Sequence, residues 1–157
     1  MQDTMEKRTV LVVCTGNTCR SPMGEAWLNA RLAGKGWVAK SAGVAACDGV
    51  AASPEAVEAM QEWNMDLSRH RSRRLTPVLV QEADVILAMT EAHRREILRR
   101  FSQAGPKTFL VNGFGVGEPQ DMVDPFGGSV DVYRHTRDEL ARALGDFLVW
   151  LAERNKG

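Results

Sequence analysis

A cysteine and an arginine near the start of the chain are spaced as a reactive pair. Cys14 and Arg20 enclose five small or turn-forming residues, which are Thr15, Gly16, Asn17, Thr18 and Cys19. A segment of this composition turns tightly enough for successive backbone amides to face one centre, and such an arrangement binds anions. Arg20 adds a planar guanidinium that donates to two oxygens of a phosphate. The segment therefore predicts an oxyanion-binding loop that contains a thiol.

Cys14 is the candidate nucleophile of this loop. Ser21-Pro22 is a typical helix start, and the positive end of that helix favours the thiolate form of the cysteine. A thiolate attacks phosphorus and forms a covalent intermediate. The alternative is a small buried cysteine that ends a strand, beside a surface arginine. The predicted strand before Cys14 and the helix start after Arg20 favour the catalytic interpretation.

A carboxylic acid is needed to protonate the leaving group, and three aspartates compete for that role. Asp121, Asp124 and Asp131 all lie in or next to a long glycine-rich loop over residues 112–128. Asp124 precedes Pro125, which restricts its backbone to an extended conformation, so we expect Asp124 to be the acid. Phe126 is expected to line the pocket entrance, with ordinary packing as the alternative.

The hydrophobic pattern places these residues in an α/β domain. Short apolar runs bounded by charged or turn-forming residues predict four strands, over residues 9–13, 38–44, 84–89 and 107–111. Helix starts are expected at three cap-like positions, Ser21-Pro22, Ser53-Pro54 and Thr90. Alternating strands and helices predict a parallel sheet with ligands at the carboxyl ends of its strands. Cys14 lies at such an end.

One long helix is expected from Ser129 to about Arg154. The apolar spacing predicts six residues on its buried side: Val132, Leu140, Ala143, Leu144, Phe147 and Leu151. Residues 1–8 are polar and are expected to form a flexible N-terminal extension. The remaining residues, 9–157, suffice for one domain with a single core.

Composition narrows the class of protein. The formal net charge is zero, which argues against a nucleic-acid binder, and 44% of the residues are apolar, as in globular proteins. The absence of a long apolar run and of a signal-type cleavage site predicts a soluble, cytoplasmic chain without a membrane partner. We expect a monomer. Basic runs over residues 69–74 and 94–100 indicate either solvated surfaces or steering of an anionic substrate.

Cysteine and histidine usage argues against a disulfide scaffold and against a metal site. Three cysteines are an odd number, and reduced thiols fit a cytosolic protein. His70, His93 and His135 are scattered, without partners at zinc spacing. We therefore expect no metal and no other cofactor. Cys19 is a candidate disulfide partner for Cys14 under oxidation, with simple burial as the alternative.

The segment from Cys14 to Pro22, together with Asp124-Pro125, resembles the low-molecular-weight protein tyrosine phosphatases in order and spacing. Similarity extends to Ser41-Ala42-Gly43, His70, Ala83-Asp84, Met89-Thr90 and the final helix. The resemblance implies a three-layer α/β sandwich of the phosphotyrosine protein phosphatase I type, with a four-stranded parallel sheet in the order 2-1-3-4. It also implies phosphorylated protein substrates, a cysteinyl-phosphate intermediate and phosphate or another oxyanion in the loop.

The resemblance assigns roles to residues around the cysteine. It implies that Ser21 hydrogen-bonds the sulfur of Cys14 and that Asn17 supports the loop. Ser41, His70 and Asp84 correspond to positions behind the loop, although each is equally suited to a structural hydrogen bond. Cys47 has no assigned role.

Within that family, two segments resemble the bacterial protein-arginine phosphatases. Thr18 stands where tyrosine-directed members usually carry isoleucine or leucine, and Phe126 follows Asp124-Pro125 where those members more often have tyrosine. A threonine hydroxyl hydrogen-bonds a guanidinium or a water, whereas a branched alkyl group only packs. Local backbone bonding is the alternative role for this threonine. The chain is therefore expected to hydrolyse phosphoarginine, with Thr18 and Phe126 setting specificity.

Three rival functions remain open at this stage. Phosphotyrosine hydrolysis would use the same residues. An arsenate reductase would need further cysteines to relay a disulfide, and only Cys47 is left for that role. A phosphocarrier would hold phosphate without hydrolysing it, which Arg20 and Asp124 argue against.

Overall fold

The computed structural model describes residues 7–154. Most of the predicted N-terminal extension, residues 1–6, lies outside the described residues, as do residues 155–157. Arg8, which the sequence analysis assigned to the extension, is the first residue of a strand. The division into an extension and one domain otherwise stays a prediction.

Four parallel strands form one sheet: β1 (Arg8–Cys14), β2 (Trp37–Gly43), β3 (Val85–Ala88) and β4 (Thr108–Leu110). Their order is β2-β1-β3-β4, and all neighbouring pairs are parallel. The predicted order is therefore confirmed. Strand β1 lies at the centre, so the segment that follows Cys14 emerges between two neighbouring strand ends.

Within the described residues, five α-helices surround the sheet: α1 (Arg20–Leu32), α2 (Pro54–Gln61), α3 (Pro77–Glu82), α4 (Glu91–Arg100) and α5 (Val130–Arg154). Helix α3 and a 3-10 helix over Ser102–Lys107 were not predicted. Both have six residues, too few for a helical hydrophobic period to stand out.

Alternate residues of β1 supply the cores on the two faces of the sheet. Val10, Val12 and Cys14 belong to the cluster that contains residues of α1, α2 and α5. Leu11 and Val13 belong to the cluster with residues of α3 and α4. Successive side chains of a strand point to opposite faces, so a strand covered on both sides needs an uninterrupted apolar run. The same alternation places Cys14 on the α1–α5 face.

Helix α5 buries the predicted residues from Leu140 onward, but the prediction for Val132 is wrong. Val132 is 39% exposed, whereas Tyr133 beside it is 1% exposed. The side chain of Val132 lies against the tight turn at Gly128, where an added Cβ would approach it to 3.0 Å. The Tyr133 hydroxyl reaches Cys19, so the buried face begins one residue later than apolar spacing indicated.

The helix starts differ in how they are capped. Thr90 accepts a hydrogen bond from the backbone amide of His93, which confirms its predicted role as a cap. Ser53 occupies the cap position of α2, but its side chain makes no capping bond. The prediction for Ser21 is wrong, because α1 begins at Arg20 and the serine lies within the first turn. Its hydroxyl bonds Cys14 and Asn17 instead.

Candidate active site

The loop from Thr15 to Cys19 joins the end of β1 to the start of α1 with its backbone donors unused. No described group accepts a hydrogen bond from the amides of residues 15–19. Five consecutive unpaired amides next to a helix N-terminus are an anion-binding arrangement, because the donors and the positive end of the helix dipole act together. The geometry of the loop is therefore compatible with the predicted oxyanion, whose binding stays a prediction.

Asn17 holds the loop in shape from below. It is fully buried and has a φ of 58°, a left-handed conformation that asparagine tolerates better than most residues. Its Nδ2 donates to Ser21 Oγ at 2.8 Å and to Ser41 Oγ at 2.9 Å, and its Oδ1 accepts from the Arg73 amide at 2.9 Å. Every polar atom of this side chain is thus paired, which fixes the turn.

Two further contacts complete the support of Asn17. Ser41 donates onward to Glu25 Oε1, which uses the hydroxyl hydrogen that the asparagine leaves free. His70 Nε2 donates to the Asn17 carbonyl at 2.7 Å. A carbonyl only accepts, so this contact requires the hydrogen on Nε2. Residues from α1, from β2 and from the segment after α2 therefore all converge on one loop residue.

Cys14 is buried, and its sulfur lies 2.8 Å from Ser21 Oγ. Because Ser21 already accepts from Asn17, its own hydrogen is free to be donated to sulfur. A hydroxyl donor at this distance stabilises a thiolate. Ser21 therefore connects the support under the loop to the candidate nucleophile.

Arg20 is 4% exposed and is held from the opposite side by the segment before α5. Its Nη1 donates to the Met122 carbonyl at 2.8 Å, and its Nη2 lies 3.6 Å from Asp124 Oδ2. The Asp124 side chain is 54% exposed, and its Oδ1 accepts from the Phe126 amide at 3.1 Å. The guanidinium is therefore oriented before a ligand binds, and the carboxylate stands beside it at the surface.

A pocket of about 240 Å³ opens above the loop. Its lining consists of Cys14, Thr15, Gly16, Thr18, Cys19, Arg20, Asp124 and Phe126. We call the buried residues Cys14, Asn17, Arg20 and Ser21 the loop base, and the exposed residues Thr15, Asp124 and Phe126 the pocket mouth. Thr18 is half-buried and belongs to neither group. An anion in this pocket would meet the candidate nucleophile, the Arg20 guanidinium and the candidate acid together.

Gly43, at the end of β2, allows the loop to lie this close to the sheet. A Cβ at this position would collide with the Thr15 carbonyl and would lie 3.0 Å from the Asn17 amide. The following residues bond the loop directly, since the amides of Val44 and Ala45 donate to the carbonyls of Cys14 and Thr15. The glycine is therefore required by close backbone approach, which explains its position in the Ser41-Ala42-Gly43 segment.

Comparison with known proteins agrees with this geometry. The profile of the family described as low molecular weight phosphotyrosine protein phosphatase matches residues 9–156. The chain belongs to this family. The predicted family, fold and class of enzyme, a phosphatase, are thereby confirmed.

Some relatives of this phosphatase are named arginine phosphatases and others are named tyrosine phosphatases. A protein-arginine-phosphatase of Bacillus subtilis is 44% identical over 137 residues, which cover 86% of this chain and 91% of the relative. A probable low molecular weight protein-tyrosine-phosphatase of Ralstonia nicotianae is 39% identical over 87% of this chain and 91% of its own length. The solved structure of an arginine phosphatase from Geobacillus stearothermophilus superposes with a TM-score of 0.88 at 40% identity and covers 94% of both chains.

The aspartates that competed with Asp124 have other positions in the phosphatase. Asp121 Oδ1 accepts from the Glu91 amide at 2.8 Å, and Asp131 pairs with Arg134 on α5. Asp84 is not behind the loop, because its Oδ2 accepts from the Thr9 amide at the opposite end of β1. Ser41 and His70 do contact the loop through Asn17. The catalytic roles of Cys14, Arg20 and Asp124 stay predictions.

The sequence analysis missed His93, which it treated as one of three scattered histidines. His93 is buried, and its Nε2 lies 2.7 Å from Thr15 Oγ1. Burial and the neighbouring Arg20 guanidinium lower the pKa of His93 to about 4. The position of His93 gave a signal, because it lies in the first turn of α4, shortly after β3. The end of β3 neighbours that of β1, and functional residues gather at such strand ends.

Tyr133 was missed for a different reason. Its hydroxyl lies 3.2 Å from Cys19 Sγ, and burial raises the pKa of Tyr133 to about 12. This tyrosine is separated from Cys19 by most of the chain, and only the packing of α5 beside α1 brings the two together.

The basic run on α4 is accounted for by pairing within the helix. Arg94 and Arg95 pair with Glu91, and Arg99 and Arg100 pair with Glu96. These contacts favour the solvated-surface interpretation for this run. Within residues 7–154, no helix has the length and apolar character needed to cross a membrane, and no cluster of three or more His, Cys, Asp or Glu residues is suited to a metal ion.

Proposed function

We propose that this phosphatase hydrolyses phosphoarginine residues of proteins through a cysteinyl-phosphate intermediate. The observation that carries the substrate assignment is Thr18, whose half-buried side chain lines the pocket beside Cys14 and Arg20. A relative named protein-arginine-phosphatase, 44% identical over 86% of this chain, supports the same substrate. Cys14, Arg20 and Asp124 carry the chemistry, without a metal or another cofactor.

In the first step the Cys14 thiolate attacks phosphorus in line with the P–N bond of phosphoarginine. The S–P bond forms as the P–N bond breaks, and Asp124 donates its proton to the departing guanidine nitrogen. The loop amides of residues 15–19 and the Arg20 guanidinium hold the equatorial oxygens, where negative charge is spread in the transition state. Arg20 is already oriented by Met122, so little reorganisation is needed.

In the second step, a water molecule enters the position that the arginine side chain has left and attacks the cysteinyl phosphate. Asp124, now a carboxylate, accepts a proton from this water while the oxygen of the water attacks phosphorus. The S–P bond breaks, and the hydrogen bond from Ser21 Oγ to the Cys14 sulfur, at 2.8 Å, stabilises the departing thiolate. Inorganic phosphate then leaves the loop. Both steps use the same amides and the same guanidinium.

Thr18 favours a guanidinium over a phenyl ring because of its hydroxyl. Among the described residues, the hydrogen-bonding contact of that hydroxyl is with a weak partner, Cys19 Sγ at 3.7 Å, so the oxygen keeps lone pairs for a substrate N–H. A site that bonds a polar leaving group discriminates strongly against an apolar one, since the polar atom would otherwise stay unpaired. Isoleucine at this position would offer no acceptor.

The decisive experiment compares kcat/KM on phosphoarginine and phosphotyrosine peptides of one sequence. We expect the native enzyme to prefer phosphoarginine and Thr18→Val, which removes only the hydroxyl, to shift the ratio toward phosphotyrosine by about tenfold. Thr18→Ile should shift it further, and Thr18→Ser should retain the native ratio. Cys14→Ser should abolish turnover of both substrates. A native preference for phosphotyrosine that Thr18→Ile leaves unchanged would refute the assignment.

Phosphotyrosine is the second candidate substrate. The identity of Phe126 favours phosphoarginine through the family resemblance, but the exposure of its ring favours phosphotyrosine. This ring is 75% exposed at the pocket mouth, where it has room to stack on a phenyl leaving group. A relative with 39% identity is named a probable low molecular weight protein-tyrosine-phosphatase. The same pair of peptides separates the two candidates.

Cys19 is proposed as the oxidation partner of Cys14. Both are free thiols, and the sulfur of Cys19 lies 3.2 Å from Tyr133 Oη. Hydrogen peroxide would convert the Cys14 thiolate to a sulfenic acid, and attack by Cys19 would form the disulfide and release water. Native activity lost to peroxide should then return with a thiol reductant, whereas that of Cys19→Ser should not. Equal recovery of both proteins would contradict this role.

A further inference from the structure

His93 makes two hydrogen-bonding contacts that join the pocket mouth to the start of α4. Its Nε2 lies 2.7 Å from Thr15 Oγ1, and its Nδ1 lies 3.0 Å from Thr90 Oγ1. The imidazole is 6% exposed, so these hydroxyls are its surroundings rather than solvent. Both ring nitrogens are therefore committed, and the ring is fixed in one orientation.

The positions of the hydrogens on His93 and Thr15 determine which hydrogen bonds Thr15 Oγ1 is still able to make with a ligand. A neutral imidazole carries one N–H, so it donates through one nitrogen and accepts through the other. If Nε2 donates, the Thr15 oxygen keeps one lone pair and its own hydrogen. If Nε2 accepts, Thr15 donates to it and both lone pairs stay free. In either tautomer Thr15 Oγ1 is able to accept a further hydrogen bond.

Thr15 lies where the leaving group of the substrate would be bound, rather than where its phosphorus atom would be bound. It lines the same pocket as Cys14, but its side chain is exposed, as are those of Asp124 and Phe126. Phosphorus must sit at the buried thiol, so a leaving group extends toward these exposed residues. An acceptor oxygen there suits a group that carries several N–H donors, and a phenyl ring carries none.

We propose that Thr15, held by His93, is a second acceptor for the guanidinium of phosphoarginine, independent of Thr18. His93 is a positioning residue in this arrangement: it turns the hydroxyl rather than the methyl of Thr15 toward its own ring and keeps that rotamer when the pocket is empty. This inference rests on the proposed function, because only a substrate with N–H donors in its leaving group uses the acceptor.

The test measures the ratio of kcat/KM for phosphoarginine and phosphotyrosine peptides of one sequence. We expect Thr15→Val and His93→Leu each to lower this ratio by about tenfold, and Thr15→Ser to keep it near the native value. His93→Gln, which places an amide near the former Nε2, should restore part of the ratio lost in His93→Leu. His135→Leu is the matched control, because this histidine of α5 is exposed and does not line the pocket.

A double-mutant cycle tests whether the two residues act as a unit. Since His93 works through Thr15, the double variant Thr15→Val with His93→Leu should lose no more of the ratio than Thr15→Val alone. These substitutions should change the inhibition constant of inorganic phosphate by a smaller factor than they change the ratio of kcat/KM values, because phosphate contacts only the loop. Thermal unfolding verifies that each variant is folded, and His93→Gln replaces His93→Leu if the latter is not.

The outcomes separate this inference from the proposed function. A native enzyme without a preference for phosphoarginine would refute both. A native preference that responds to Thr18→Val but not to Thr15→Val would refute this inference alone. Additive losses, or equal losses on both peptides, would also overturn it, because they would mean that His93 only supports the loop.

Discussion

Asn17 in the loop base is fully buried, and its side chain makes three hydrogen bonds, whereas Asp124 at the pocket mouth has a side chain that is 54% exposed. The partners of Asn17 come from three separate parts of the chain. Asp124 contacts Arg20 at 3.6 Å and the amide of nearby Phe126. Phe126 itself is 75% exposed.

In the proposed mechanism, this contrast separates two tasks of the enzyme. Holding a tetrahedral anion requires donors fixed within tenths of an ångström, and a fully bonded buried asparagine provides that rigidity. Choosing and protonating a leaving group requires access for a protein substrate, so those residues lie at the surface. Substitutions in the loop base should therefore affect stability and activity together, whereas substitutions at the mouth should affect activity alone.

The largest expected effect tests the mouth. Asp124→Asn should lower kcat on phosphoarginine by about 10³-fold, because an amide donates no proton to the leaving nitrogen. The melting temperature should change little, since the carboxylate is exposed. Asp131→Asn, which removes a nearby surface carboxylate, is the control and should retain activity. Equal losses from the two substitutions would mean that Asp124 is not the acid.

The next effect tests the loop base. Asn17→Ala should lower the free energy of unfolding by about 3 kcal/mol, because it leaves Ser21, Ser41 and the Arg73 amide without their partner. Displacement of the loop should also lower kcat/KM by about 10²-fold. Chemical denaturation and steady-state kinetics measure the two quantities.

Two variants sharpen that result. Asn17→Gly keeps the left-handed backbone accessible but removes the side chain, so native-like behaviour would show that backbone conformation alone matters. Asn64→Ala is the matched control, since Asn64 is the other non-glycine residue with positive φ in the described part of the chain and is exposed.

A smaller effect is expected from Phe126→Ala. Loss of the exposed ring should lower kcat/KM by about threefold to fivefold through KM, because the ring only contacts the bound substrate. The free energy of unfolding should stay within about 0.5 kcal/mol of the native value. Val116→Ala, at an exposed site in the same long loop, should change neither quantity. A marked loss of stability in Phe126→Ala would break the contrast between mouth and base.

The last effect is a pH dependence of stability, and it comes from His93, which lies beneath Thr15 of the pocket mouth. The pKa of His93 is lowered from 6.5 to about 4, first by burial and then by Arg20, against the opposing charges of Asp121 and Asp124. Above pH 6.5 neither the folded nor the unfolded state binds this proton. Between that pH and about 4 the unfolded state binds it and the folded state does not, so stability falls as the pH falls.

The measurement is the free energy of unfolding at a series of pH values from 7 to 4. His93→Gln should show a weaker loss of stability over this range than the native protein, because glutamine does not titrate. Superimposable profiles would mean that His93 titrates equally in both states.

The local sequence was sufficient to predict the loop and the sheet. Residues 15–19 are small or turn-forming, and an uninterrupted apolar run precedes Cys14, so the strand, the turn and the candidate nucleophile follow from short-range chemistry. Parallel topology then places Cys14 at the carboxyl edge. Asp124 was selected by its neighbour Pro125, which is again a local property.

Tertiary structure alone decided which distant groups meet the loop. His93 reaches Thr15 and Tyr133 reaches Cys19 across 78 and 114 positions of sequence, and no local pattern encodes such contacts. Ser21 differs from these two residues: the local Ser-Pro pattern wrongly predicted a helix cap, but the family resemblance had implied its hydrogen bond to the sulfur of Cys14, which the structure shows. Residue type determined the chemistry available to each side chain, whereas packing of the helices on the sheet determined its partner.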